Sequence, residues 1–597
     1  MIFWVKNVII NVDDIFQQKE IIMKRLFDEH KIRRVADLCG GWSFLTDPDR
    51  TGEAEGWQNG LTNAKSVIVP SLWNNELGLF NYEGYGWYER KFTTEGGTLR
   101  FEFGSVMTQA DIWLDGVKIG DHYGAFTAFY ITVDNVSPGE HTLTVRADST
   151  INSKSFPQRY TDWYNYGGIA REVSVETLCG LTVINCHLVY GLSEGLDTAT
   201  VHAELELYNA EAEAVKSDLC VKVGDTVIYK GEAALDGKAT ATLSTPEYKL
   251  EGIKLWSMEE PNLYTVTVTT DTDDLIDRVG FRKIEVVGND ILLNGKSIEL
   301  LGVNRHEEHP EWGFAFPSKL MYKDIDIIKD MGCNTVRGSH YPNSKIFVDM
   351  LDEGGILFWS EIPMWGCGFG EAALKDPDIV ARGLEMHKEM TRQYYNHPCI
   401  VIWGMHNEIC TAWECAYDIT KQYYTHLREK GGNRIITHAS NHPFDDIWMG
   451  FNDIICINIY YGWYGYRGST GKISDWDKFV VDFEARLKEQ GWYGKPVIMS
   501  EFGAGALAGF HAPFDTVRWS EEYQRDLLEH CLELFHKTEY MRGTYIWQFC
   551  NIRTSPSMDI NRVRYFNNKG ILDEYRNPKA SYYKVKELYT KYAKEGK

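Results

Sequence analysis

Short runs of alternating apolar and polar residues dominate the chain from about Arg34 to Thr177, punctuated by Gly, Asn and Asp. Arg100-Phe101-Glu102-Phe103, Ala110-Asp111-Ile112-Trp113-Leu114 and His141-Thr142-Leu143-Thr144-Val145 carry the period of two that turns one face of a strand toward a core. So many short strands predict a jelly-roll β-sandwich. The alternation continues through Ala199–Leu207 and Tyr264–Val268, in a stretch of about 100 residues that suits an immunoglobulin-like β-sandwich.

After about Lys283 the pattern changes. Apolar strand-like runs recur at Ser297–Val303, Thr335–Arg337, Ile356–Glu361, Ile400–Trp403, Ile435–His438, Ile454–Asn458, Val497–Glu501 and Gly543–Trp547. Amphipathic helical stretches lie between most of them, for example Ala381–Tyr395 and Gln524–His536. Eight strands alternating with helices predict a (β/α)8 TIM barrel, whose chemistry sits at the C-terminal ends of its strands. The expected division is therefore a jelly-roll domain over 23–181, an immunoglobulin-like β-sandwich over 182–284 and a TIM barrel over 285–597. Residues 1–22 are read as an N-terminal extension outside the fold. They are mildly apolar but interrupted by Lys6, Asn7 and Asn11, with neither the basic start nor the small-residue cleavage site of a signal peptide.

Composition narrows the functional classes. No run approaches the roughly 20 apolar residues that span a bilayer, so no membrane partner is expected. A formal net charge of -23 argues against a nucleic-acid partner, and it requires that any anionic ligand be held by local cations. The twelve cysteines are scattered without a C-x-x-C pair, which predicts inert thiols in a reducing, cytoplasmic setting and no metal centre. Nineteen Trp and 34 Tyr offer faces for sugar rings, although core and interface filling accounts for most of them.

Two carboxylates sit where a barrel places its chemistry. Glu408 follows Trp403-Gly404-Met405-His406-Asn407 at the end of the fourth strand, and Glu501 follows Val497-Ile498-Met499-Ser500 in the seventh. Glycoside hydrolysis needs such a pair flanking the scissile bond. A lone Glu after a strand is usually a solvated loop residue; two on one rim, each in a polar-aromatic setting, change that reading. His306-Glu307-Glu308-His309 lacks the spacing of a zinc H-E-x-x-H motif and reads as a polar rim of the first barrel strand. Gly503-Ala504-Gly505-Ala506-Leu507-Ala508-Gly509 lacks dinucleotide spacing and reads as a flexible loop beside the site.

Asn407-Glu408, Ser500-Glu501-Phe502-Gly503, Ser339-His340-Tyr341-Pro342, Asn396-His397-Pro398 and Trp256–Tyr264 together resemble glycoside hydrolase family 2 from Met23 onward. The resemblance implies the same three-part order, a sugar-binding role for the jelly roll and a retaining mechanism. Within that family, three stretches are similar to β-glucuronidases of bacterial type with a short active-site loop. Asn567-Asn568-Lys569-Gly570 resembles the N-x-K-G motif that holds a uronate carboxylate through Asn567 and Lys569. Tyr460-Tyr461-Gly462-Trp463-Tyr464 resembles the stretch lining the sugar pocket, which implies substrate-binding roles for Tyr460 and Tyr464. Asp162–Ile169 resembles the segment whose Asp, here Asp162, reaches the sugar from the first domain. By the same match His340 and Trp547 line the pocket, and Asn407 bonds the 2-hydroxyl. The common pattern puts an Arg four residues before the motif Asn; Val563 stands there, and either neighbour, Arg562 or Arg564, could serve. Arg564 is the candidate carried forward.

The implied reaction has Glu501 as nucleophile and Glu408 as general acid/base, about 5 Å apart. It needs no cofactor or metal, and it takes a glucuronide substrate. Rival readings are a β-galacturonidase or β-galactosidase of the same family, and a catalytically silent sugar-binding protein on the same scaffold. A homo-oligomer, dimer or tetramer, is expected. The short Gly-rich loop of Pro363–Asp378 predicts an open mouth, with Trp365 and Phe369 either forming a platform for the leaving group or anchoring the loop.

Overall fold

The structure, a computed structural model, describes residues 24–596 apart from 160, 367, 467, 514–516 and 556–561. The expected extension over 1–22 lies outside the described residues. From Arg34 to Leu178 two antiparallel sheets face each other. One has four strands, Arg34–Asp37, Val173–Leu178, Gly97–Phe103 and Phe129–Val136; the other has six, from Lys65–Val69 to Val117–Tyr123. Leu99, Phe101 and Phe103 enter the core beside Phe44, Trp73 and Val145, as their alternation requires. The intervening Arg100 and Glu102, which alternation alone would leave in water, are buried as well. They lie at the seam with the barrel, where Arg100 pairs with Glu176 and Glu102 pairs with Lys24 and Lys345.

A second sandwich follows in which Leu181–Leu192, Thr198–Asn209 and Thr240–Ser244 face Thr226–Leu235, Val215–Val223, Tyr264–Thr269 and Asp274–Val279. Val201, Ala203, Leu205 and Leu207 line its core at every second position. Its junction with the barrel is pinned by Trp256, fully buried with its indole N–H donating to the Asp352 carbonyl at 2.8 Å.

Eight parallel strands then close a barrel: Leu300–Arg305, Thr335–Gly338, Leu357–Glu361, Ile400–Asn407, Ile435–Ser440, Ile455–Asn458, Val497–Phe502 and Met541–Ile546. The chain is thus multidomain, with β-rich N-terminal domains leading into a TIM barrel. The run expected as one strand from Ser297 is divided. Lys296–Ile298 pairs antiparallel with Asp290–Leu293 outside the barrel, and Leu300 begins the barrel strand proper. Both pieces alternate in the same way, so periodicity cannot separate them. The helix expected from Ala381 starts one turn earlier, at Pro377, because Asp376 caps it by accepting the Asp378 N–H and Pro377 suits a first helical position. Between strands five and six the helix is replaced by the single turn Met449–Phe451.

Beside the Trp256 junction Arg25 makes a two-pronged bond to Asp349, at 2.9 Å on each oxygen, while Asp352 bonds His397. Asp349, Asp352 and His397 converge closely enough to hold a cation. The Arg25 guanidinium already supplies the positive charge there, so the cluster ties chain segments together.

Candidate active site

Strand four is buried along its whole length. Gly404 within it permits a close approach: a Cβ there would lie 2.4 Å from the Trp359 indole nitrogen and 2.7 Å from the Glu361 Cβ. The strand ends at Asn407, and Glu408 follows with φ 54, a left-handed conformation uncommon for Glu. Strand seven brings Glu501 to the same rim. Glu501 is buried and Glu408 half-buried, and each meets a different set of donors.

Glu501 accepts the Arg337 guanidinium at 2.9 Å and the Tyr460 hydroxyl at 2.6 Å. Arg337 also grips Glu361 through two nitrogens, at 2.9 and 3.1 Å, and donates to Asn407 Oδ1 at 2.7 Å and Asn304 Oδ1 at 3.1 Å. Glu408 accepts from neutral amides: Asn458 Nδ2 at 2.8 Å on Oε1 and Asn441 Nδ2 at 3.4 Å on Oε2. Burial pushes the Glu408 carboxyl up to about 7, with the Asn458 bond and the Arg337 charge opposing. Burial and then the Glu408 charge push Glu501 up as well, against Arg337 and Tyr460. Two interacting carboxyls titrate as a pair, and one of them keeps its proton longer than the other. A cationic donor and a phenol favour charge on Glu501, so the proton belongs to Glu408.

His340 is fully buried and uncharged, its pKa driven well below the usual range first by burial and then by Arg337. Its Nδ1 faces Glu361 at 2.8 Å, which orients its other nitrogen 3.8 Å from Glu501. Trp547 stacks on the His340 ring at 5.1 Å. Asn407 leaves its Nδ2 buried without a hydrogen-bond partner among the described residues, ready for a ligand oxygen.

A second cluster sits at the rim. Asp162, from the first sandwich, accepts from Arg562 at 2.7 and 2.6 Å and from Asn567 Nδ2 at 2.6 Å. Lys569 Nζ donates to the Tyr464 hydroxyl at 2.7 Å, and Arg562 reaches the same oxygen at 3.4 Å. Tyr464 stands edge-on to Tyr460 at 5.4 Å, which links this cluster to Glu501. Burial, then the Arg562 charge, lowers the pKa of Lys569 from its usual value. The loop needs its glycine, because a Cβ on Gly570 would lie 2.2 Å from the Asn551 nitrogen. Lys579 fastens it from below, donating to the Asn568 and Gly570 carbonyls at 3.1 and 2.7 Å.

The structure therefore brings Asp162, His340, Asn407, Glu408, Tyr460, Tyr464, Glu501, Trp547, Asn567 and Lys569 to one end of the barrel. Arg564 is the exception and corrects the sequence-based choice. Arg564 and Tyr565 both adopt positive φ, 61 and 60, and the turn they make sends Arg564 outward, half exposed, to Glu574 at 3.2 Å. Arg562 points inward in its place. Phe369 is also no platform: it is fully buried against Phe156 at 5.0 Å and anchors its loop. Glu307 and Glu308, expected on a polar rim, are buried and hold the sandwich to the barrel through Arg171 at 2.9 Å and Tyr166 at 2.7 Å.

Sequence reasoning missed Arg337, Glu361, Asn441 and Asn458. Arg337, Glu361 and Asn458 end predicted strands, so the rule that singled out Glu408 and Glu501 applied to them equally. Nothing in the local pattern marked Asn441.

The barrel region, residues 284–594, matches the family model described as glycosyl hydrolases family 2, TIM barrel domain, and residues 182–282 match the model described as glycosyl hydrolases family 2. A β-glucuronidase of Paenibacillus borealis is 27% identical, with 92% of this chain and 96% of that protein covered. Among solved structures, a β-galacturonidase from Eisenbergiella tayi bound to galacturonate superimposes with a TM-score of 0.88 at 34% identity, covering 96% of this chain and 99% of the other. A Ruminococcus gnavus β-glucuronidase superimposes with a TM-score of 0.83 at 25% identity, covering 95% and 99%. With two carboxyls at the strand ends of a closed barrel and a family match across more than half its length, this chain belongs to glycosyl hydrolase family 2.

Proposed function

We propose that this glycoside hydrolase is a retaining β-glucuronidase that removes terminal β-D-glucuronic acid from small conjugates or oligosaccharides. The observation that carries the reading is the pair of buried cations, Lys569 and Arg562, converging on the Tyr464 hydroxyl one tyrosine away from Glu501. In a protein with a net charge of -23, two cations buried at one site are a specific provision for an anion. A uronate carboxylate has the charge and the planar geometry to engage both, with Asn567 as a further donor.

In the proposed reaction Glu501, ionised by Arg337 and Tyr460, attacks C1 while Glu408 protonates the leaving oxygen. Esterification of Glu501 removes its charge, so the Glu408 carboxylate left behind can then activate water. Asn407 Nδ2 is suited to the 2-hydroxyl, and Trp547, backed by His340, offers a face for the sugar ring. A dimer or tetramer in the cytoplasm completes the proposal.

A β-galacturonidase is the second reading, favoured by the 34% identity to the Eisenbergiella tayi enzyme. Both sugars need the same cations and differ in the direction of the 4-hydroxyl. Comparing kcat/KM on 4-nitrophenyl β-glucuronide, β-galacturonide and β-galactoside tests the proposal. The glucuronide should lead, and the neutral galactoside should be slowest. A faster galacturonide replaces the first reading by the second, and a faster galactoside removes the carboxylate clamp altogether.

A further inference from the structure

We infer that Trp163, reaching over from the first sandwich, is a further substrate-binding residue whose indole N–H donates to a hydroxyl on the C3–C4 edge of the sugar. The inference rests on the proposed reaction and deepens it. Trp163 is fully buried, and its Nε1 has no hydrogen-bond partner among the described residues. Buried N–H groups are seldom left so, and an indole can only donate, so this one needs an acceptor. Its ring stands 5.4 Å from that of His340, 5.6 Å from that of His306 and 5.8 Å from that of Trp365. Both histidines likewise leave Nε2 buried without a partner among the described residues. Three unpaired ring nitrogens on one wall, with that of His340 3.8 Å from Glu501, mark a place where ligand atoms complete the bonding.

The chemistry of the wall selects a hydroxyl. His340 Nδ1 faces Glu361, a carboxylate gripped by Arg337, so Nδ1 carries the ring proton and Nε2 is a bare acceptor. An atom held between Trp163 and His340 accepts from one ring and donates to the other, which a hydroxyl does and a carboxylate or ring oxygen does not. Position narrows the choice further. Glu501 marks C1, and Asn407 Nδ2 is suited to the 2-hydroxyl, whereas Lys569 and Arg562 take the carboxylate on C5. Asp162, the residue before Trp163, sits against Arg562 on the carboxylate side, and His340 sits beside Glu501 on the C1 side. Trp163 spans the two, which leaves C3 and C4. Its backbone is fixed there: the Thr161 hydroxyl donates to its carbonyl at 3.2 Å, and the Tyr164 N–H donates to Arg553 O at 2.9 Å. The donor is therefore held in place before the sugar arrives.

The test compares Trp163→Phe, which keeps an aromatic ring and loses the N–H, with the unaltered enzyme on 4-nitrophenyl β-glucuronide and its 3-deoxy and 4-deoxy analogues. Any packing lost with the smaller ring is common to all three substrates, so the readout is the difference between them. The loss of kcat/KM on the parent should exceed the loss on one of the deoxy analogues about three- to tenfold, the contribution of one neutral hydrogen bond. Equal losses on all three substrates would make Trp163 merely structural and overturn the inference. A second variant carries 3-benzothienylalanine at position 163, with the shape of Trp but sulfur in place of the N–H, and it decides the matter if the Phe variant folds poorly. Failure of the uronidase reading shows elsewhere, in the unaltered enzyme, as a neutral galactoside turned over faster than either uronide. The Trp163 comparison is then read on the deoxy analogues of that galactoside, with the same two outcomes.

Discussion

The floor of the site and its rim bury comparable amounts of charge but are built differently. On the floor, Arg337, Glu361 and Glu501 all come from barrel strands, and one guanidinium serves both carboxylates while bonding Asn407 and Asn304. At the rim, Asp162, Arg562 and Lys569 come from loops and Asn567 from a two-residue strand outside the barrel, with Asp162 in another domain. Strand register sets the floor, so its geometry is as rigid as the barrel and serves the reaction at C1. The rim depends on loop contacts, and its cations already have partners in Asp162 and Tyr464. Under the proposed function a substrate carboxylate draws Lys569 and Arg562 away from those partners, which suits selection of the sugar more than acceleration of the chemistry.

If that division is right, damage to the floor should be blind to the sugar's charge. Glu501→Gln should lower kcat/KM by more than about 10⁴-fold on uronides and neutral glycosides alike, since no neighbouring group can form the covalent intermediate. Arg337→Met comes next. It leaves Glu361 and Glu501 buried without their cation and should lower kcat/KM at least about 10²-fold, again on both substrate types. Arg337→Lys should rescue little, because a single ammonium cannot reproduce the planar fork. A floor variant that spared neutral glycosides would erase the contrast.

Rim variants should do the opposite. Lys569→Met should slow glucuronide hydrolysis by about 10–10²-fold and leave a neutral glucoside within a few-fold, since only the uronate loses a charged hydrogen bond. Equal losses would make Lys569 structural. Arg562→Gln should cost the glucuronide about tenfold or more, whereas Arg564→Gln, half exposed on Glu574, should stay within about threefold. The reverse order would restore the choice made from sequence.

The smallest effect links the two regions. Hydrolysis needs Glu408 protonated, so kcat/KM should fall as pH rises through about 7, to which burial lifts that carboxyl. The Lys569 charge pulls in the other direction and lowers the Glu408 pKa. In Lys569→Met the alkaline limb should therefore shift upward, by less than about one pH unit. A downward shift in the pH–rate profile would mean that the rim cation does not act on the acid through its field.

The sequence by itself determined the parts whose signal is local. Alternation located the two sandwiches, and apolar runs placed all eight barrel strands to within a few residues. The same runs delivered Glu408 and Glu501 to one rim, because a residue at a strand's end needs only the strand to be placed. Arg337 and Glu361 were equally exposed to that logic, but their charge resembles any loop charge until the barrel closes and sets them against each other. The rest lay in contacts between distant stretches. Asn567 and Asp162 are 405 residues apart, so only the seam between sandwich and barrel makes them neighbours. Whether Arg562 or Arg564 turned inward depended on two left-handed residues that no period announces. Phe369 became an anchor because Phe156 of the first sandwich covers it. Periodicity encodes which face of an element is apolar; which partner meets that face, and which loop side chain turns inward, is settled by packing.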